Sequence, residues 1–281
     1  MSPRYIISDN STLSMDPQQF PLLGGLKGEM AEVAGVFWPR TVAFSDGTIE
    51  PIFIGGVLCS SEISRIAQTI ALELVERYSR KKILLIQLLE GAIPFCEMVC
   101  ENLSSFKPEN MGYEVASLKV SSYIDGSQAQ KHQLSQPLHC NGREVLTLAN
   151  YDQVVILDDL IDAGNTVTWL VKEYLPSFSP KKLSAYFMLE KNRGRAVEAN
   201  IILDRLEAVC GKQVPNDWVV GYGLDMRLPG EKGQHALHLF RGRLPGGIYA
   251  FNAAIETKLI ADYQKNPQQL LRQLQLYVSN V

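Results

Sequence analysis

The run Val154-Val155-Ile156-Leu157-Asp158-Asp159-Leu160-Ile161-Asp162-Ala163-Gly164-Asn165-Thr166-Val167 constrains this chain more than any other stretch. Four apolar residues in a row predict a buried parallel strand. Two adjacent carboxylates follow where such a strand ends, then a short polar turn with a glycine and a threonine. Beyond them Val167, Leu170 and Val171 recur at helical spacing. Strand, acidic pair, tight loop and helix together make a place to hold a phosphate. Backbone N–H groups and the helix N-terminus supply positive dipole, and Thr166 adds a hydroxyl. Three aspartates beside an anion site make sense if the ligand also carries a cationic sugar centre or a metal, or must lose a proton there.

This stretch resembles the 5-phosphoribosyl-1-pyrophosphate (PRPP) loop of type I phosphoribosyltransferases. That loop reads four apolar residues, two acids, two apolar residues, an acid, Thr, Gly and, two positions after the Gly, Thr. Asp158 and Asp159 match the acidic pair, Asp162 the third acid, and Gly164 and Thr166 the loop. Ala163 stands where the family usually has Thr and lacks its hydroxyl.

Composition excludes several other classes. A net charge of −3 over 281 residues argues against a general nucleic-acid binder. No run approaches the roughly 18 apolar residues of a membrane helix, and Met1 to Asn10 lacks the basic-then-apolar order of a secretion signal. Five scattered cysteines fit a reduced, cytoplasmic protein. Cys96 and Cys100 lie four apart on a predicted helix, where a shared apolar face explains them better than a metal.

Ser60-Ser61-Glu62 predicts a helix start, and Ile63, Ile66, Ala67, Ile70 and Leu74 mark one apolar stripe behind it. The run Ile83 to Leu89 predicts a buried strand, Glu90-Gly91-Ala92 a turn, and Pro94 an early position in the next helix. This unit resembles the pyrophosphate loop of the hypoxanthine-guanine branch, often built with a non-proline cis peptide. Glu90 replaces the branch's usual Lys, and a carboxylate there repels pyrophosphate unless a cation lies between. Tyr113 to Val120 predicts a strand, and Ser121-Ser122-Tyr123 resembles the start of the branch's mobile active-site loop, where a Ser-Tyr pair meets pyrophosphate. The polar stretch from Ile124 to Asn141 suits a flexible lid.

After the central motif the predicted helix runs to about Tyr174, where Pro176 ends it. Leu183 to Leu189 predicts a further strand, with Lys191 just beyond it. The branch places there the lysine that meets the purine 6-oxo group. Residues 194–204 read as an insertion or a short extra helix. Val214-Pro215-Asn216-Asp217-Trp218-Val219-Val220-Gly221-Tyr222-Gly223-Leu224-Asp225 resembles the branch's base-binding segment. Trp218 offers a flat face for stacking, the Val219 carbonyl an acceptor, the glycines close backbone approach, and Asp225 an oxygen ligand for Mg²⁺. Arg241 or Arg243, beside Leu244-Pro245, matches the branch's pyrophosphate arginine. Asn266-Pro267 caps a last predicted helix carrying Leu270, Leu271 and Leu274.

The resemblance covers roughly residues 57–250. It implies an α/β fold, a mostly parallel sheet flanked by helices, with a hood formed by the chain ends and the 190–250 region. Residues 1–56 are then an extension of unassigned role, 57–250 the phosphoribosyltransferase domain with its hood, and 251–281 a helical extension. The implied activity joins PRPP to a 6-oxopurine, giving a nucleoside 5′-monophosphate and pyrophosphate with Mg²⁺, in a homodimer or homotetramer. Asp162 is the candidate general base at purine N7, or an electrostatic stabiliser there. Asp158 and Asp159 would hold the ribose hydroxyls and, with Asp225, the metal. Ala163, Gly164, Asn165 and Thr166 would bind the 5′-phosphate; Glu90, Gly91, Ser122 and Tyr123 lie at the pyrophosphate; Lys191, Trp218 and Val219 face the base. Two alternatives stay open: a PRPP-binding regulator on the same fold, and an enzyme that uses xanthine or a pyrimidine.

Overall fold

A computed structural model describes residues 3–8, 13–23, 30–33, 36–121, 133–192, 194–228, 237–240 and 244–274. The chain folds as two compact units, residues 1–11 with 64–214 and residues 12–63 with 215–281.

The first unit is built on an eight-stranded sheet. Its strand order is Arg4–Ile7, Val209–Val214, Leu183–Lys191, Gln153–Ile161, Ile83–Leu89, Tyr113–Ser121, Gln133–Cys140 and Arg143–Glu144. The first six run parallel, and the last two close the edge antiparallel. The three central strands are apolar runs, as expected of parallel strands covered on both faces. Leu84, Ile86, Val154, Ile156, Ala185 and Phe187 sit in one core cluster with Val167, Leu170, Ile202 and Leu203 from the helices. The apolar stripe Ile63, Ile66, Ala67, Ile70 and Leu74 of the helix Ser60–Tyr78 is buried as its spacing predicts. Glu62 accepts the Cys59 N–H at 2.9 Å, the backward bond of a capping box.

Two expectations change here. The helix after the central motif is α-helical only over Asn165–Trp169. It continues as a π-helix through Leu170–Tyr174 and a 3-10 turn through Leu175–Phe178. Pro176 therefore sits inside the last turn rather than beyond it, at a position where its missing N–H costs nothing. The stretch assigned to a lid is in part a strand: Gln133–Cys140 pairs antiparallel with Tyr113–Ser121. Ser122, Tyr123 and the rest of 122–132 lie outside the described residues, as do Arg241 and Arg243.

The second unit gathers residues 12–63 and 215–281 around one core, while the first residues of the chain belong to the other unit's sheet, so the chain ends do not share the one hood expected of them. Phe53–Cys59, Gly247–Phe251 and Val219–Val220 form a three-stranded antiparallel sheet. Tyr249 packs against Phe20 edge-on at 5.5 Å and against Phe53 at 4.9 Å between ring centroids. The C-terminal helices Glu256–Lys265 and Pro267–Leu274 bury Leu259, Leu270 and Leu274 with Val42 and Phe44. Polar ties fix that docking: Asp262 accepts from the Ser45 N–H at 2.7 Å and from its hydroxyl at 2.6 Å. Gln273 exchanges two hydrogen bonds with the Ala43 backbone, each 3.0 Å.

Candidate active site

Parallel sheets bind ligands at the carboxyl ends of their strands, and the candidate residues of the first unit gather there. Asp158 and Asp159 stand near the end of Gln153–Ile161, and Asp162 directly after it. Gly164 adopts a left-handed φ of 80° and caps the helix that begins at Asn165. A side chain at Gly164 would meet the Ala199 Cβ at 2.8 Å, so the loop Ala163 to Thr166 is held close against the helix Val197–Arg205. Glycine is demanded there both by φ and by space.

The neighbouring strand brings a second loop to the acidic pair. The Leu89–Glu90 peptide is cis, and Gly91 follows it. A Cβ on Gly91 would collide with the Asp159 carboxylate, so bare backbone is what lets the two loops meet. Glu90 is neutralised: the Lys119 ammonium, on the next strand, forms an ion pair with it. Lys119 is the sheet partner of Leu89 in the parallel register, a relation that no spacing in the sequence reveals.

Burial, then the charge of Asp159, push the Asp158 carboxyl well above the ordinary carboxylate range. A folded-state value raised above the unfolded one costs stability as pH rises through that window, because the folded chain keeps a proton the unfolded chain releases. Asp158→Asn keeps an oxygen for the Asp159 N–H, which Asp158 now accepts at 3.0 Å. It should therefore raise Tm at neutral pH, with the gain closing towards acid pH, where both forms are neutral at this position. Melting curves of the two proteins at pH 4 and pH 7.5 test this; equal Tm at neutral pH counts against it.

Lys191 and Asp162 stand together. Their charged atoms are 4.0 Å apart, with the lysine side chain 13% exposed and the aspartate 41%. One residue before Lys191, Glu190 is buried and pairs with Arg195. Tyr5 of the N-terminal strand donates its hydroxyl to Glu190 at 2.5 Å and accepts from Gln213 at 3.3 Å. The Arg195 Nε donates to Asn200 on the helix behind Gly164 at 3.1 Å. This network joins three adjacent strands to the helix that packs against Gly164. Sequence reasoning missed Tyr5, Glu190 and Arg195. The signal was a glutamate near the end of a mostly apolar strand, five residues before an arginine.

In the second unit, Gly221, Tyr222 and Gly223 take left-handed φ values of 101°, 53° and 95°. Gly221 and Leu224 exchange backbone hydrogen bonds at 2.9 and 3.2 Å, closing a tight reversal. The reversal returns Asp225 to Trp218, whose indole N–H donates to the Asp225 carbonyl at 3.0 Å. Trp218 is fixed at one edge yet remains 39% exposed, leaving ring surface available. Val219 is buried in the sheet opposite Ala250.

The family model for the phosphoribosyl transferase domain matches residues 59–225, more than half of the sequence. The chain belongs to the phosphoribosyl transferase family. Among curated proteins it is 28% identical over 174 residues to the bifunctional protein TilS/HprT of Listeria innocua, covering 60% of this chain but 23% of that protein. It thus spans under a quarter of the length of those bifunctional relatives. It is 29% identical over 170 residues to the hypoxanthine phosphoribosyltransferase of Salmonella typhimurium, covering 58% of this chain and 81% of that one. In fold it is similar to the hypoxanthine phosphoribosyltransferase of Trypanosoma cruzi solved with its product IMP. The TM-score is 0.52 at 20% identity, over 77% of this chain and 100% of that one. The expected α/β architecture with a mostly parallel sheet is therefore the architecture found.

A family of this kind implies Mg²⁺, and the donor set suits it. Among the described residues no cluster of three or more His, Cys, Asp and Glu is arranged to hold a metal. Mg²⁺ rarely uses such cages. It is bound through one or two carboxylates, waters and substrate phosphates, and the all-oxygen pair Asp158 and Asp159 fits that pattern.

Proposed function

We propose that the protein transfers the 5-phosphoribosyl group of PRPP to a 6-oxopurine, hypoxanthine or guanine, releasing pyrophosphate. The observation that carries this reading is the Lys191 ammonium 4.0 Å from the Asp162 carboxylate. A 6-oxopurine presents O6 and N7 side by side on one edge. In the tautomer protonated at N7, that edge offers an acceptor beside a donor. An ammonium beside a carboxylate is its complement: Lys191 donates to O6, and Asp162 accepts the N7 proton. As that proton leaves, N9 attacks the ribose C1, the new C–N bond replaces the C–O bond, and pyrophosphate departs with the electron pair.

The remaining roles rest on the resemblance. Ala163, Gly164, Asn165 and Thr166 bind the 5′-phosphate. Asp158 and Asp159 hold the ribose hydroxyls and Mg²⁺, to which Asp225 also contributes. Mg²⁺, when bound, offsets the charge of the leaving pyrophosphate. Glu90, Gly91, Ser122 and Tyr123 serve the pyrophosphate side. Trp218 stacks on the base, and the Val219 carbonyl accepts from its edge. In this reading residues 57–250 carry the activity, and 1–56 and 251–281 are accessory. The protein works as a cytoplasmic homo-oligomer. Among the described residues no helix is long and apolar enough to cross a membrane.

A base panel with PRPP and Mg²⁺ tests the reading. Hypoxanthine or guanine should be consumed and adenine refused, because adenine sets an amino donor against the lysine and leaves buried groups unpaired. Lys191→Ala should raise KM for the accepted base by about tenfold or more. Use of adenine as readily as hypoxanthine removes Lys191 from O6. Turnover of xanthine or a pyrimidine instead moves the activity to a different base, and PRPP binding without turnover of any base makes the protein a regulator.

A further inference from the structure

The Glu90–Lys119 pair is unexplained by stability. Its side chains are 33% and 40% exposed, and exposed pairs of long side chains contribute little because ordering them offsets the attraction. The structure nevertheless builds the pair with care. The ladder between Tyr113–Ser121 and Gln133–Cys140 slips on both sides of Lys119, between Ser117 and Lys119 and again between Lys119 and Val120. Such irregularities re-aim a side chain and are concentrated beside active sites. Here the re-aimed ammonium meets Glu90 at the Glu90-Gly91 turn, the same turn that touches Asp159.

A carboxylate alone at a turn that receives pyrophosphate would repel it. With Lys119 in place the local charge is balanced. An ammonium has three donors, so one can hold Glu90 while the others remain for an anion. We propose that Lys119 is the cation of the pyrophosphate subsite, held at the Glu90-Gly91 turn by its ion pair with Glu90. The proposal rests on the phosphoribosyltransferase reading above. It makes the glutamate the anchor of a lysine delivered from the adjacent strand, so that charge reaches the turn across the sheet and not along the chain.

Calorimetric titration of inorganic pyrophosphate with Mg²⁺, and separately of a 6-oxopurine nucleoside monophosphate, tests this on the full chain. Lys119→Met should weaken pyrophosphate binding by about tenfold to a hundredfold, the range of one charge-assisted contact. Its affinity for the monophosphate and its Tm should stay close to wild type. Lys119→Arg keeps a cation and should bind pyrophosphate within a few-fold of wild type. Glu90→Gln releases the lysine from its anchor but keeps the cation and removes a carboxylate that repels the anion, so its loss of pyrophosphate affinity should be clearly smaller than that of Lys119→Met. Pyrophosphate binding by Lys119→Met equal to wild type overturns the assignment, as does an equal loss in Glu90→Gln and Lys119→Met. A wild-type protein that binds the monophosphate and pyrophosphate poorly overturns the assignment together with the reading it rests on.

Discussion

Asp162→Asn should lower turnover with hypoxanthine by about 10²–10⁴-fold, the usual weight of a general base, while PRPP still binds. The substitution changes no volume and keeps an oxygen near Lys191, whose ammonium now stands 4.0 Å from the carboxylate. What it removes is the capacity to take a proton from N7. In the proposed reading PRPP is held elsewhere, by the loop that Gly164 caps and by the Asp158–Asp159 pair, so its dissociation constant should move little. The loss should appear in kcat measured at saturating base and PRPP, with PRPP affinity followed in parallel by equilibrium titration. Unchanged turnover strikes Asp162 from the mechanism. Equal losses of turnover and PRPP affinity make it a substrate ligand instead.

The central strand, its acids and its glycine were legible because each is a local event: an apolar run, two carboxylates, a left-handed residue before a helix. The twelve residues ending at Asp225 were legible for the same reason, since Gly221, Tyr222 and Gly223 make a reversal within their own span. The strand Gln133–Cys140 was not. It lies near the sheet edge, beside a partner of two residues, and needs few apolar side chains; Leu138 is buried while Leu134 remains exposed. Its Pro137 also reads as a loop signal, although edge strands tolerate proline. The continuation from α to π to 3-10 beyond Trp169 was hidden because apolar spacing there serves all three windings. Lys119 was invisible as Glu90's partner, because their meeting depends on sheet register across 29 residues. For the edge strand and for Lys119 the missing information was which strands are neighbours.

Strand order also explains why Arg195 matters. Arg195→Ala should destabilise the protein by about 3–5 kcal/mol, the cost of leaving one member of a buried pair behind. The side chains of Arg195 and Glu190 are 6% and 3% exposed, so water cannot replace the lost partner. Tyr5 still donates to Glu190, and burial keeps that phenol above its ordinary range, hence a donor; one hydrogen bond does not balance a buried carboxylate. The double variant Glu190→Met with Arg195→Met should recover most of the loss, since an apolar pair of similar volume is often as stable as the ion pair it replaces. Recovery of stability need not be recovery of function. Glu190 precedes Lys191 on the same strand, and Arg195 reaches, through Asn200, the helix that packs on Gly164. If the network positions the lysine, the double variant should fold with near wild-type stability yet keep a raised KM for hypoxanthine. Denaturant melts read the first quantity and steady-state kinetics the second. A single Arg195→Ala variant as stable as wild type rules out a costly buried pair. A stable double variant with unchanged KM limits the network to holding the fold together.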